Sequence, residues 1–421
     1  MIEFVEDLED FTDKVNQSID YYPSPEELSA ACDALVKFRH ELNKSQRIKS
    51  IICISYYCLE NKYKPDLMKR CLDCACQELD ESSLSLIIED LRSMLVQIKN
   101  SQVSNEGRFK DQEMLALNSN KGFNFAEDKI RSDWHEGGGR RSIPLFFMVL
   151  SQLKHRDISS NLWWITPGIL NLMDDTSDLE GIKLGGVVLL RQFLTQTIDL
   201  NDTVHFNFTN TGLAKVFEPI LTSLWYHFPP STDPQLTEKI WETVFTTLIP
   251  LYQVEYSQNR SLYYKSVSKF LSEIILQATL PRVATEYPEL TLKVLKFVDT
   301  TIDILKERSV AHLQRLIYVL GEFLIRNGYI TLFMPLVHQI VLTLTKLVVV
   351  CSRSRIVGHK YDLLACVTIL SEKCFSEGTL DDETSAQFHA FVNLLKSKGC
   401  SWNQDERQLL NNSLSWGKFE L

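Results

Sequence analysis

LWWITPGILNLMDDTSDLEGIKLGGVVLLRQFL, residues 162–194, reads as two helices joined by a polar turn. Thr166 is placed to cap and Pro167 to open a helix, since proline suits a first helical position where its missing N–H is not needed. The apolar side of that helix is Ile169, Leu170 and Met173. Asp174 and Asp175 fall in the turn, where a carboxylate can accept the free N–H groups of the next helix. Ser177 and Glu180 have capping-box spacing, and Leu179, Ile182, Gly186, Leu189 and Phe193 form the following stripe. Lys183 lies one turn into that second helix. Gly185 and Gly186 each cost about 1 kcal/mol relative to alanine in a helix interior. They are tolerable where the missing side chains let a neighbouring helix come close. Trp163 and Trp164 are about 100° apart on a helix, so one of them is expected at the surface, where tryptophan often anchors an interface.

The same grammar extends outward. Phe4, Leu8, Phe11, Val15 and Ile19 recur at helical steps, and Ser24-Pro25-Glu26-Glu27 starts a second helix carrying Leu28, Cys32, Leu35, Phe38 and Leu42. Further stripes begin near Ile48, Pro65 and Leu84. After Pro144 helices follow one another to the end of the chain, the only strand-like word being Val204–Phe208. Every second helix start falls near 178, 234, 286, 331 and 381, at intervals of roughly 45–56 residues, against roughly 40–47 for helical-pair solenoids. With a proline in the first helix, aspartate in the turn and a basic residue in the second, residues 162–194 resemble the HEAT repeat. Lys183 comes about two positions late, which implies an enlarged turn. The expected fold is all-α, an irregular HEAT/armadillo-like solenoid.

Residues 100–142 break the pattern, being rich in Asn, Ser, Lys and Gly around one apolar word, Met114–Leu117. Connections beyond about 15 residues are uncommon inside compact domains. The expected organisation is a helical block over 1–99, a mobile polar linker or insertion over 100–142, and a HEAT-like array over 143–421. Gly137-Gly138-Gly139 lacks the preceding strand and following Lys-Ser or Lys-Thr of a phosphate loop, and reads as a flexible hinge.

Composition narrows the function. The chain has 421 residues and a net charge of -10, so it carries no basic footprint for direct nucleic-acid binding. Seven carboxylates against Lys14 in residues 1–20 read as a solvated acidic helix face. MIEFVEDLED has neither the basic nor the apolar region of a signal peptide, so the ten cysteines are expected to be reduced thiols. Nineteen residues from Asn327 to Thr345 carry no formal charge, but Asn327, Gly328, Pro335, His338 and Gln339 make a poor membrane span. Cys71, Cys74 and Cys76 lack a second ligand pair for zinc, and core packing is preferred. No GxSxG, HExxH, GxGxxG, Walker or kinase signature occurs, so no enzyme, metal or cofactor is expected.

The most apolar region runs from Leu290 to Cys374, with Leu332 to Cys351 nearly unbroken. If that helix is apolar on more than one side, a single neighbouring layer cannot cover it. Leu332, Leu336, Ile340, Leu344 and Leu347 are therefore candidate partner contacts, beside Trp163 and Trp164.

A narrower likeness follows from residues 164–175, with Lys183 and Gly186 ahead of a leucine-rich helix, from the helix over Leu213–Phe228, and from Arg355-Ile356. Together these resemble the Tel-two-interacting protein two family, a subunit of the TTT complex, although Ser354 stands where the family pattern has proline. The resemblance implies a non-catalytic co-chaperone in cytoplasm and nucleus. Its implied partners are two larger TTT solenoid subunits and the heat-shock chaperone machinery, with phosphatidylinositol-3-kinase-related kinases as clients and an association with the chromatin-linked ASTRA assembly. A helical-repeat adaptor in vesicle or nuclear transport is the alternative, and an enzyme without recognisable motifs the weaker one.

Overall fold

Side-chain caps start several of the helices in the computed structural model, which describes residues 2–77, 79–100, 102–110, 125–198 and 206–413. Ser24 Oγ accepts from Glu27 N at 3.1 Å. Asn43 and Gln46 form a reciprocal capping box, and Asp80 and Asp381 accept from Ser83 N and Thr384 N. Such caps satisfy donors that a helix start leaves orphaned.

The helices run α1 (Ile2–Gln17), α2 (Pro25–Phe38), α3 (Lys44–Ser55), α4 (Pro65–Cys76), α5 (Glu81–Met94), α6 (Phe125–Glu136), α7 (Ser142–Gln152), α8 (His155–Met173), α9 (Leu184–Gln196) and α10 (Ala214–Trp225). They continue with α11 (Pro234–Glu255), α12 (Arg260–Lys269), α13 (Leu280–Val283), α14 (Pro288–Leu305), α15 (Leu313–Val319), α16 (Met334–Val350), α17 (Arg353–Gly358), α18 (Lys360–Ser376), α19 (Asp382–Ser397) and α20 (Gln404–Ser413). Among the described residues the only β element is an isolated antiparallel bridge between Val103 and Phe109. The chain is all-α.

Two compact units are present. One comprises Met1–Tyr226 and Glu242–Glu255, the other His227–Trp241 and Tyr256–Leu421; the expected breaks at 99/100 and 142/143 both lie inside the first. In that unit α1 packs on α2 and α3, α4 on α2 and α3, α5 on α7, and α9 on both α7 and α8. Phe146, Phe193 and Phe217 are among its largest fully buried side chains. In the second unit α14 packs on α12 and α16, and α19 on α16 and α18, around Phe388 and Phe391.

Several expectations change here. Residues 100–142 contain α6 and the 103–109 bridge, whereas 111–124, including the Met114–Leu117 word, lie outside the described residues. The bridged loop is tied down: Phe109 N donates to Thr211 O at 2.9 Å. Gly107 has φ +77°, and a Cβ there would lie 2.1 Å from the Leu162 carbonyl oxygen, so the loop crosses α8 at a point only glycine allows. The glycine triplet is likewise a seat. Gly138 turns at φ +79°, the Trp134 indole lies against Gly139, and Trp134 Nε1 donates to Met94 O at 2.7 Å. The uncharged 327–345 run is divided between a short helical turn, Ile330–Leu332, and the start of α16. No helix of the described residues is long and apolar enough to cross a membrane. Of the Val204–Phe208 word, Val204 and His205 lie outside the described residues, and Phe206, Asn207 and Phe208 are in irregular backbone.

Candidate functional site

The turn between α8 and α9 gathers the polar groups that residues 162–194 supply. α8 starts at His155, twelve residues before the proline, so Thr166 and Pro167 are interior and do not begin the helix. Pro167 removes the N–H that would serve the carbonyl four residues back. The helix continues because Leu162, Ile165 and Ile169 around it are fully buried. Thr166 is buried with its hydroxyl unpartnered.

Asp174 ends α8, its N–H donating to Leu170 O at 2.8 Å and its carboxylate accepting from Asn100 Nδ2 at 3.4 Å. Asp175, only 2% exposed, is the hub of the turn. Its Oδ1 accepts from Ser177 N at 2.8 Å, Ser177 Oγ at 2.7 Å and Asp178 N at 3.1 Å, and its Oδ2 faces Arg131 Nη1 at 3.5 Å. Burial alone would raise its pKa. The Ser177 hydroxyl, the two backbone N–H groups and the guanidinium outweigh that and hold the carboxyl below its ordinary value.

The cap moves by one residue and is not a reciprocal box, since Gly181 at the third helical position has no side chain to reach back. Ser177 serves Asp175, and Asp178 is the cap, accepting from Gly181 N at 2.8 Å and pairing with Arg140. The helix then opens with a π-helical turn over Leu179–Lys183, which absorbs the extra length of the enlarged turn. Glu180 is exposed and Lys183 half-buried within that turn. Gly185 lies against Ile143. A Cβ on Gly186 would lie 2.8 Å from Met173 Cγ and 2.9 Å from Met173 N, which is where α9 presses onto the end of α8.

Four further residues hold this region together, and three of them carry no local signal in the sequence. Asn171 is buried and donates to Val96 O at 2.9 Å and Ile98 O at 3.0 Å, holding the chain that leaves α5. Arg131 donates to Asn171 O at 2.6 Å. Arg141 donates to Val15 O and Ser18 O at 2.7 and 2.6 Å, satisfying carbonyls at the end of α1 from more than a hundred residues away. Trp134 is the fourth. A polar Asn171 within an apolar helical stripe is the one hint available beforehand.

The candidate contact residues separate sharply. Trp164 is buried, its ring centroid 5.2 Å from that of Phe146 and its Nε1 donating to Asn161 Oδ1 at 2.8 Å. Trp163 is 43% exposed, with the Arg92 guanidinium stacked 4.1 Å from its ring centroid. Leu336, Ile340, Leu344 and Leu347 are core, not contact surface: they face α14, α19 and neighbouring elements of the second unit and are essentially inaccessible. Leu332 is 78% exposed, and the outward face of α16 carries Leu342 and Val349. Those two lie seven residues apart and share a side. A helix apolar all round offers no periodicity by which to tell its inner face from its outer one.

Cys71 and Cys74 share one side of α4 and are buried beside Cys32. Among the described residues no group of three or more His, Cys, Asp or Glu side chains is arranged to hold a metal ion.

Comparison with known proteins places this junction in a wider context. Residues 50–332 match the model of the Tti2 family. Over 323 residues the chain is 38% identical to TEL2-interacting protein 2 of Saccharomyces cerevisiae, a span covering 76% of each chain. The α8–α9 pair lies wholly within the region matched by the family model.

Proposed function

This chain belongs to the Tti2 family, and from that premise we propose that it is a non-catalytic scaffold subunit that binds a TEL2-type protein. The observation that carries the reading is the 38% identity, over 76% of both chains, to a protein named for interacting with TEL2. In its fuller form the chain is a subunit of the TTT complex, together with two larger solenoid subunits. It works there with the heat-shock chaperone machinery, in cytoplasm and nucleus, to sustain the folding, assembly and abundance of phosphatidylinositol-3-kinase-related kinases. A HEAT-like array suits that task, because stacked helical pairs present long faces to protein partners. The side-by-side packing of α14, α16 and α19 supports such stacking in the second unit. Trp163 in the first unit and Leu332, Leu342 and Val349 in the second are among the exposed apolar side chains that suit contact.

Affinity purification of the tagged chain, paired with its depletion from cells, tests the reading. The TEL2-type protein and a second large helical subunit should co-purify. Depletion should lower both of them and the steady-state level of several such kinases, with their messages unchanged. Kinase levels that survive complete depletion would refute the co-chaperone role. Recovery of vesicle coats or transport GTPases in place of the kinases would make the chain a transport adaptor.

A further inference from the structure

The α2–α4 contact brings three thiols together that the junction and the proposed scaffold role do not use. Cys32 on α2 and Cys71 on α4 have their Sγ atoms 3.9 Å apart, and Cys74 Sγ lies 3.3 Å from the Cys32 carbonyl oxygen. The two helices pack directly on each other. Cys32 and Cys74 also line a surface cleft with Asp33, Lys69, Arg70 and Cys76; Cys32 is only 1% exposed at its floor, and Cys71 is fully buried behind it. Arg70 pairs with Asp33 on its rim and donates to Ser29 Oγ at 2.7 Å.

We propose that Cys32 is a peroxide-oxidisable thiol and that Cys71 resolves it to a disulfide tying α2 to α4. The thiolate is the nucleophile in such chemistry. Of the pair, Cys32 is the thiol that lines the cleft, and the adjoining Cys71 and Cys74 thiols, against burial and with the Arg70 guanidinium, lower its pKa. By the same contact Cys71 and Cys74 are pushed up, first by Cys32 and then by burial. The Cys32 thiolate attacks one peroxide oxygen and the O–O bond breaks, giving a sulfenic acid and hydroxide. Cys71 sulfur then attacks the sulfenic sulfur, the S–O bond breaks and the S–S bond forms. The leaving oxygen takes up the Cys71 proton as water. Two thiols are oxidised, one hydrogen peroxide is reduced, and two waters result. The sulfurs must approach from contact distance to about 2 Å, a movement within one helix–helix contact.

The test uses the full-length protein, reduced, freed of reductant and exposed to hydrogen peroxide before alkylation and peptide mass spectrometry. The expected product is a Cys32–Cys71 linked peptide two hydrogens lighter than the reduced pair, reversed by dithiothreitol. Cys71→Ser should abolish the link and leave Cys32 as a sulfenic acid trapped by dimedone. Cys74→Ser should retain the link. Oxidation confined to Cys76, the most accessible of the ten cysteines, with Cys32 and Cys71 still reduced in the wild-type protein, would overturn the assignment. So would a wild-type disulfide joining Cys32 to any residue other than Cys71. Both results come from the unmutated chain and do not depend on a variant folding.

Discussion

Asp175 and Asp299 are both buried carboxylates, 2% and 6% exposed, yet the two units hold them by different chemistry. Asp175 sits in the turn between α8 and α9 and accepts from two backbone N–H groups, a hydroxyl and, at longer range, Arg131. Asp299 sits mid-helix on α14 and accepts from two neutral side chains of α16, Thr343 Oγ1 at 2.7 Å and Gln339 Nε2 at 2.9 Å. Its nearest cation, Lys346, is 4.0 Å away and lies closer to Asp303, at 2.7 Å. Burial therefore prevails at Asp299 and raises its pKa, while at Asp175 the donors prevail. Fixed donors at a turn demand a charge. A hydroxyl and an amide can rotate to serve a neutral acid as well.

The comparison is broken most severely by removing the apolar packing on which both sites rest. Leu344→Ala in α16 and Trp164→Ala in α8 should cost about 2–5 and about 3–5 kcal/mol, read from the denaturant midpoint of the unit that carries each. Either change costing less than about 1 kcal/mol would mean that the site is not the close-packed core described.

The carboxylates themselves should respond less, and unequally. Asp175→Asn should destabilise by about 1–3 kcal/mol, because the turn keeps its donors and loses the charge they hold. Asp299→Asn should fall within about 1 kcal/mol of wild type at neutral pH. The pH dependence has opposite signs. The lowered pKa of Asp175 gives stability that is present above its unfolded value of about 3.9 and is lost as pH falls through the folded one. The raised pKa of Asp299 means that stability declines as pH rises from about 3.9 through the folded value. Denaturant titrations across that range should show Asp175→Asn removing part of the acid loss and Asp299→Asn removing part of the decline. Equal slopes for the two variants would erase the distinction.

What is legible beforehand divides along the same line. Helical periodicity yields the all-α class because Leu28, Cys32 and Leu35, like Leu189 and Phe193, are core residues at core spacing. Proline misleads at 167, since the residues flanking it are buried deeply enough to carry the helix through. The capping-box spacing points to Ser177, one residue early, because an aspartate at 178 can cap as well as a serine at 177. The polar junction is not legible: Arg131 meets Asp175 across 44 residues and Asn171 meets Val96 across 75. No local pattern records pairs so distant. On α16 the difficulty is the reverse, too much apolar sequence for any period to separate Leu344 from Leu342.

Trp163 should show the smallest effect on folding, and it sharpens the contrast with its neighbour. It is adjacent to Trp164 in sequence, yet nearly half of its surface faces solvent and its described ring contact is the stacked Arg92 guanidinium. An exposed cation–π pair contributes about 0.5–1 kcal/mol, so Trp163→Ala should leave the unfolding midpoint within roughly that range. Binding should behave differently if Trp163 meets the TEL2-type partner. A buried tryptophan anchor contributes about 2 kcal/mol or more to an interface, which corresponds to about a thirtyfold loss of affinity. Titrating the folded Trp163→Ala protein against that partner measures both quantities on one sample. Unchanged affinity would move the contact away from α8, toward Leu332, Leu342 and Val349. A large loss of stability instead would show Trp163 to be part of the core that Trp164 already occupies.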